Sequence, residues 1–110
     1  MKARYVQRGE AVDYIPETDV QAGDIVKIGG LVGVAKLDIK AGELGSLALV
    51  GVYEIAGNGT ALEAGSVVSV NPTTGKVCAA DADGAIKFGH AVQSITANEA
   101  FVLVRLCQGL

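Results

Sequence analysis

Residues 22–28 read Ala-Gly-Asp-Ile-Val-Lys-Ile, and residues 64–70, 42 positions later, read Ala-Gly-Ser-Val-Val-Ser-Val. Both stretches place an Ala-Gly turn before a run of branched aliphatic residues, which is the pattern of a tight turn that leads into a strand. Because the same pattern occurs twice, the sequence predicts two related units, neither of which can bury its apolar face alone.

The similarity continues beyond these stretches at a second spacing of 56 residues. The matching residues are Gly33-Val34-Ala35, Ile39, Ala41, Glu43 and Leu47 in the first copy, and Gly89-His90-Ala91, Ile95, Ala97, Glu99 and Leu103 in the second. The wider spacing means that the second copy contains a hairpin that is 14 residues longer. We therefore predict halves at about 22–55 and 64–107, with chance similarity between glycine-rich, valine-rich segments as the alternative explanation.

Glycine separates short apolar runs along the whole chain, with 15 glycines in 110 residues. This spacing is typical of many short strands joined by tight turns, and helical periodicity is absent. The predicted strands are Arg4–Gln7, Val12–Ile15, Ile25–Ile28, Leu31–Leu37, Gly45–Leu49, Val52–Ile55, Val67–Val70, Lys76–Cys78, Phe88–Ser94 and Ala100–Cys107. Hairpin turns are expected at residues 28–31 and 71–76. The fold class is all-β, a small glycine-rich β-barrel or β-clip-like domain with two pseudo-repeated halves.

The run Phe101–Leu106 is almost continuously apolar. Such a strand is expected to be covered on both faces, either at the centre of a barrel or at a subunit interface. Its predicted neighbour is the matching strand near Leu47.

The composition fits one folded domain of residues 11–110, because half of the residues are hydrophobic and 19% are charged. The net charge is −3 and only 5% of the residues are aromatic. A nucleic-acid site needs basic side chains, often with aromatic rings that stack on bases, so no nucleic-acid partner is expected.

Charge is unevenly distributed, since Lys2, Arg4 and Arg8 give the first eight residues +3 and leave −6 for the remainder. We treat residues 1–10 as an N-terminal arm. It is either an ordinary solvated terminus or a segment that docks on an acidic partner surface, in which case salt would weaken the interaction.

Two cysteines, Cys78 and Cys107, are too few for a disulfide framework, and the chain opens without a signal-peptide pattern. We expect buried, reduced thiols and a cytoplasmic site of synthesis. No apolar run approaches the about 20 residues that a membrane-spanning helix needs, so no membrane partner is predicted.

The sequence contains few residues that could form a catalytic, metal-binding or phosphate-binding site. His90 is the single histidine, which excludes a two-histidine metal site, and a Cys107–His90 nucleophile and base pair lacks an evident orienting residue. Gly75-Lys76 lacks the hydroxyl residue and the earlier glycine of a phosphate-binding loop, and residues 81–84 resemble only part of a calcium loop. We predict no catalytic residues, no metal, no cofactor and no enzymatic activity.

Several segments, in this order, resemble those of the capsid cement or head decoration proteins of tailed phages, a family once classed as a domain of unknown function. They are residues 5–10, 12–14, 23–35, 41–43, 51–54, 74–77 and 102–106. Some members carry a RecA/RadA recombinase label, which implies ATP binding and DNA strand exchange. The missing phosphate loop argues against that activity in this chain.

The resemblance implies a β-clip barrel that assembles as a homotrimer on the capsid exterior, binds the major capsid protein and stabilises the expanded head. On this hypothesis Lys2, Arg4, Tyr5 and Arg8 contact the capsid, and the protein is located on the virion after synthesis in the host cytoplasm. The alternatives are another phage component, such as a tail or fibre-base barrel, and a small ligand-binding or enzymatic barrel.

Overall fold

The computed structural model describes residues 2–110, so Met1, the first residue of the predicted arm, lies outside the described residues. All elements of this part of the chain are strands, as predicted. They are β1 (Ala11–Tyr14), β2 (Ile25–Ile28), β3 (Leu31–Ala35), β4 (Gly45–Ala48), β5 (Val52–Ala56), β6 (Val67–Asn71), β7 (Lys76–Cys78), β8 (Ile86–Ala91) and β9 (Phe101–Leu106). Between Lys2 and Leu110, no helix is long and apolar enough to cross a bilayer.

Nine of the ten predicted strands are present, two of them with the predicted bounds and the others with ends that differ by at most three residues. The prediction of a strand at Arg4–Gln7 is wrong, because these residues pair with no other strand among the described residues. Tyr5 and Val6 in this segment are residue types that favour an extended chain, but a strand also needs a partner for its backbone groups.

The strands form two separate sheets. The first is a four-stranded sheet in the order β1-β4-β3-β2, and the second is a closed barrel in the order β5-β7-β6-β8-β9. The barrel prediction therefore holds for five strands and not for the whole chain. Val52–Ala56, which the sequence comparison placed at the end of its first half, belongs to the barrel.

Glycine allows both predicted hairpin turns. Gly29, at φ +55°, lies in the two-residue connection between β2 and β3. Gly75, at φ +70°, donates its backbone N–H to the Asn71 carbonyl at 2.8 Å in the turn between β6 and β7. Residues other than glycine rarely adopt such positive φ angles, so the two turns depend on these positions.

The loops before β2 and after β3 make the same hydrogen bonds as the loops before β6 and after β8. Val20 and Ile39 exchange two backbone hydrogen bonds of 2.8 Å, and Leu62 and Ile95 exchange two of 3.1 and 2.8 Å. These pairs are separated by the predicted spacings of 42 and 56 residues. A second pair of equivalent bonds has the Ala22 N–H donated to Asp38 Oδ1 and the Ala64 N–H donated to Ser94 Oγ.

The last strands of the two sheets match with a one-residue difference from the sequence comparison. Leu49 N–H donates to the Glu10 carbonyl and Leu106 N–H donates to the Gly51 carbonyl, both at 2.8 Å. The counterpart of Leu47 is thus Val104, which is fully buried like Leu47, and not Leu103. A shift of one residue moves a side chain to the opposite face of a strand.

These equivalences relate β1, β2, β3 and β4 to β5, β6, β8 and β9, and β7 has no counterpart in the first sheet. Within β3 and β8, Gly33 and Gly89 allow a close approach to the next strand. A Cβ atom at Gly33 would lie 2.9 Å from Leu47 Cβ, and one at Gly89 would overlap the Arg105 carbonyl oxygen. Both sheets therefore require a glycine at the same point.

The apolar interior has two parts. The larger cluster fills the barrel around Phe88, Val70 and Val104 and also includes Val32 and Val34 from β3, so the outer face of the first sheet packs on the barrel. The smaller cluster consists of Val20, Ala35, Ile39 and Leu47, with Val12, Tyr14 and Val26 partly buried around it. It occupies the position in the first sheet that the barrel interior occupies in the second.

Gln108 joins the two sheets after β9. Its side-chain amide donates to the carbonyls of Val32 at 2.7 Å and Leu49 at 3.1 Å, and its side-chain oxygen accepts the Val32 N–H at 2.9 Å. The three bonds connect the end of the barrel to β3 and to the end of β4.

Within one chain the last strand is covered on one face only, and its predicted neighbour is wrong. β9 has one buried face, formed by Val102, Val104 and Leu106, while Phe101 on the other face is 54% exposed. Its neighbours are β5 and β8, and not the strand that contains Leu47. A nearly continuous apolar run does not by itself distinguish a strand covered on both faces from one with an apolar outer surface.

Candidate protein-binding surfaces

The arm that precedes β1 carries all four residues assigned to capsid contact by the family resemblance. Lys2, Arg4, Tyr5 and Arg8 are exposed. Arg8 pairs with Glu10 at 3.6 Å, with 79% and 62% of the two side chains exposed. Such an exposed pair contributes at most about 1 kcal/mol, so Arg8 remains available to a partner.

A groove of about 520 Å³ lies on the outer face of β1 and β4. The small side chains of Ala11 and Ala48 form its floor, and the exposed apolar side chains of Leu37, Leu44 and Val50 line it. Charged residues also line the groove: Glu10, Lys36, Asp38 and Glu43. This groove was not predicted from the sequence, although the two leucines that flank loop 38–43 are a signal for exposed apolar surface.

The outside of the barrel carries a second apolar surface. The exposed residues Val52, Val67, Val92 and Phe101 lie on strands β5, β6 and β9 and just after β8. Cross-strand pairing places Val67 opposite His90, His90 opposite Arg105, and Arg105 opposite Val52. The surface therefore combines branched apolar side chains with a central basic pair, a composition suited to contact with another protein.

The fold brings together His90 and Cys107, the one nucleophile and base pair that the sequence raised. His90 Nδ1 lies 3.4 Å from Cys107 Sγ, and Arg105 Nη1 lies 4.0 Å from the same sulfur. Within residues 2–110, no hydrogen bond joins His90 to a carboxylate that would orient the ring. The pair is thus adjacent without the third group that an activated nucleophile requires.

Both cysteines are free thiols and half-buried, whereas burial had been predicted for them. Gly75 and Lys76 lie in the hairpin between β6 and β7, and residues 81–84 form an exposed loop. No group of three or more metal-ligating side chains occurs in the described part of the chain.

Tyr53 forms one hydrogen bond and one aromatic contact within the protein. Its hydroxyl donates to the Val50 carbonyl at 2.9 Å, and its ring meets Phe88 edge to face at a centroid distance of 6.0 Å. Burial raises the pKa of Tyr53, because the phenolate is less well solvated than the neutral phenol.

Comparison with known proteins gave one informative result. The family model described as phage cement protein matches residues 6–106, which include all nine strands. Searches of curated proteins and of solved structures found no match. Because the match covers nearly the whole chain, the chain belongs to the phage cement protein family, and its role is that of a capsid-associated structural protein.

Proposed function

We propose that this cement protein binds the major capsid protein on the outer surface of a phage head and stabilises the expanded shell. The observation that carries the proposal is the arm, in which three positively charged side chains project from a body, residues 11–110, with a net charge of −5. A basic segment of this kind is attracted to an acidic surface and orders on contact. The protein is made in the host cytoplasm and acts on the virion.

Stabilisation follows from differential binding. A protein that binds the expanded shell more tightly than the unexpanded or dissociated capsid shifts the equilibrium toward the expanded form. We propose that the protein self-associates, as a homotrimer, so that several weak contacts with neighbouring capsid subunits act together. In this arrangement residues 11–110 form a single domain and residues 1–10 form the arm.

The direct test is co-sedimentation with expanded empty capsids at increasing salt. The triple variant Lys2→Glu, Arg4→Glu and Arg8→Glu should lose most of its binding, and binding of the parent protein should weaken as the Debye length falls from about 10 Å at 0.1 M to about 3 Å at 1 M salt. A matched control, Lys40→Glu, Lys76→Glu and Lys87→Glu, changes the charge equally at exposed positions outside the arm. Equal occupancy of the arm variant and the parent would contradict the role of the arm.

A further inference from the structure

The comparison of the two sheets shows that the first one lacks a strand. In the barrel, β7 lies between β5 and β6 and pairs with both, in parallel with β5 and antiparallel with β6. The counterparts β1 and β2 each pair with a single strand. The space between their unpaired edges, which we call the seam, is the position that β7 fills in the barrel.

Side-chain burial differs in the same way. In the barrel, Val77 of β7 is paired opposite Val70, which is fully buried. Ile28 is the counterpart of Val70 and is 37% exposed. The small apolar cluster behind β1 and β2 is therefore covered incompletely.

The backbone of β1 presents N–H and C=O groups to the seam that can pair with an added strand. Glu10 accepts a hydrogen bond from Leu49, so the alternation of an antiparallel ladder directs the N–H and C=O groups of Val12 toward β4 and those of Ala11 and Asp13 outward. An edge with outward N–H and C=O groups is a template for an added strand.

The arm contains a segment that can fill the seam. Residues 4–7 pair with no strand among the described residues, and Tyr5 and Val6, which are residue types that favour strands, are 78% and 83% exposed. Val6 lies between Tyr5 and Gln7 as Val77 lies between Lys76 and Cys78, so both segments present one valine between residues that tolerate solvent. The positive arm also meets a body of opposite net charge.

The arm of the same copy cannot take this position. Only residues 8–10 separate the segment from β1, and a connection this short can produce only an antiparallel neighbour. A strand in the position of β7 would run parallel to β1, because β7 runs parallel to β5, the counterpart of β1. Parallel strands need a connection of about a dozen residues or more. The occupant must come from another molecule.

We propose that residues 4–7 of one copy fill the seam of a second copy, parallel to β1 and antiparallel to β2, with Val6 packed against Ile28. The contact is head-to-tail, so each copy gives one arm and receives another, and the assembly closes as a ring. The inference rests on the self-association part of the proposed function. Gly75 and Ala79, two residues on either side of Val77, are exposed, so Arg4 and Arg8 keep their charges in solvent for the capsid.

Light scattering after size-exclusion chromatography, without capsids, tests this arrangement. Val6→Asp should reduce the mass of the assembly to the 11.2 kDa of one chain, because a carboxylate cannot enter the apolar cluster. The matched control Gln7→Asp places the same charge one residue away, on the outward face of the added strand, and should leave the assembly intact. An assembly that keeps its mass in Val6→Asp overturns the arm exchange, whereas a monomeric parent protein overturns self-association itself.

A cross-linking experiment tests the register. The double variant Val6→Cys and Ile28→Cys should form disulfide-linked multimers under mild oxidation, because the counterparts Val77 and Val70 lie directly opposite each other. The parent protein, which retains Cys78 and Cys107, gives the background, and Val6→Cys with Val67→Cys is the distance control. Equal cross-linking in the two double variants would contradict the proposed register.

Discussion

The two sheets are built on the same plan, yet one closes and the other does not. Both contain a hairpin, a bridged pair of loops and a glycine at which neighbouring strands approach closely. The difference is β7, a strand of three residues that connects β5 to β6 and covers the barrel interior with Val77. Closure of a small barrel thus depends on one short strand, and its absence leaves the first sheet with two free edges and a half-covered apolar cluster.

The largest difference between the sheets is expected for the paired glycines. Gly89→Ala should destabilise the protein by about 3 kcal/mol or more, because the new Cβ overlaps backbone that cannot move without breaking the β8–β9 ladder. Gly33→Ala should cost about 1 to 2 kcal/mol, because its Cβ would lie 2.9 Å from Leu47 Cβ, a smaller overlap that a small displacement of β4 relieves. Urea unfolding of the two variants measures the difference. Equal losses would mean that the closed and open sheets are equally rigid at this point.

A smaller difference is expected for the counterparts Val70 and Ile28. Val70→Ala removes two buried methyl groups beside β7 and should cost about 2 to 3 kcal/mol, whereas Ile28→Ala at the seam should cost less than about 1 kcal/mol. Both substitutions are made in the Val6→Asp background, so that the seam is empty when unfolding is measured. A loss from Ile28→Ala as large as that from Val70→Ala would show that the seam is already covered within one chain.

The smallest effect concerns Tyr53, whose counterpart in the first sheet is Val12. The pKa of Tyr53 is raised above that of the unfolded chain by burial, so the folded state retains the proton where the unfolded state releases it. The stability that this provides is present below about pH 10 and declines as the pH rises toward the folded pKa. Tyr53→Phe should flatten this alkaline decline and cost about 1 kcal/mol at neutral pH through the lost hydrogen bond to Val50. An unchanged alkaline slope in thermal unfolding would contradict the assignment.

The sequence predicted local structure well and pairing poorly. Gly29 and Gly75 identified both hairpins because the required backbone conformation is a local property. The prediction for Arg4–Gln7 was wrong, since residue types that favour strands do not show whether a partner strand exists. The parallel contact between β5 and β7 was not predicted from the sequence either, because it joins residues that are distant in sequence through a single bridge.

Of the surfaces, the exposed arm was predicted from the sequence and the groove was not. The charge asymmetry identified Lys2, Arg4 and Arg8 as exposed, because a run of cations next to few apolar residues has no reason to be buried. The groove next to Ala11 and Ala48 was missed, since it is formed by the path of the loop 36–44 over the sheet. The identical residues Leu47 and Leu103 also misled the comparison, because a match of residue type does not define the face on which a side chain lies.

The three hydrogen bonds by which Gln108 joins the two sheets, which we call the clamp, have a consequence for biosynthesis. The first sheet uses residues up to Ala48, but β5 cannot pair with β9 until Leu106 has been translated, and the clamp requires Gln108. At about 5 to 20 residues per second, roughly 3 to 12 seconds separate the completion of the first sheet from the closure of the second on the ribosome. A chain that lacks Gln108 would lack the bonds to Val32 and Leu49, and quality-control proteases would encounter it without this connection between its two sheets.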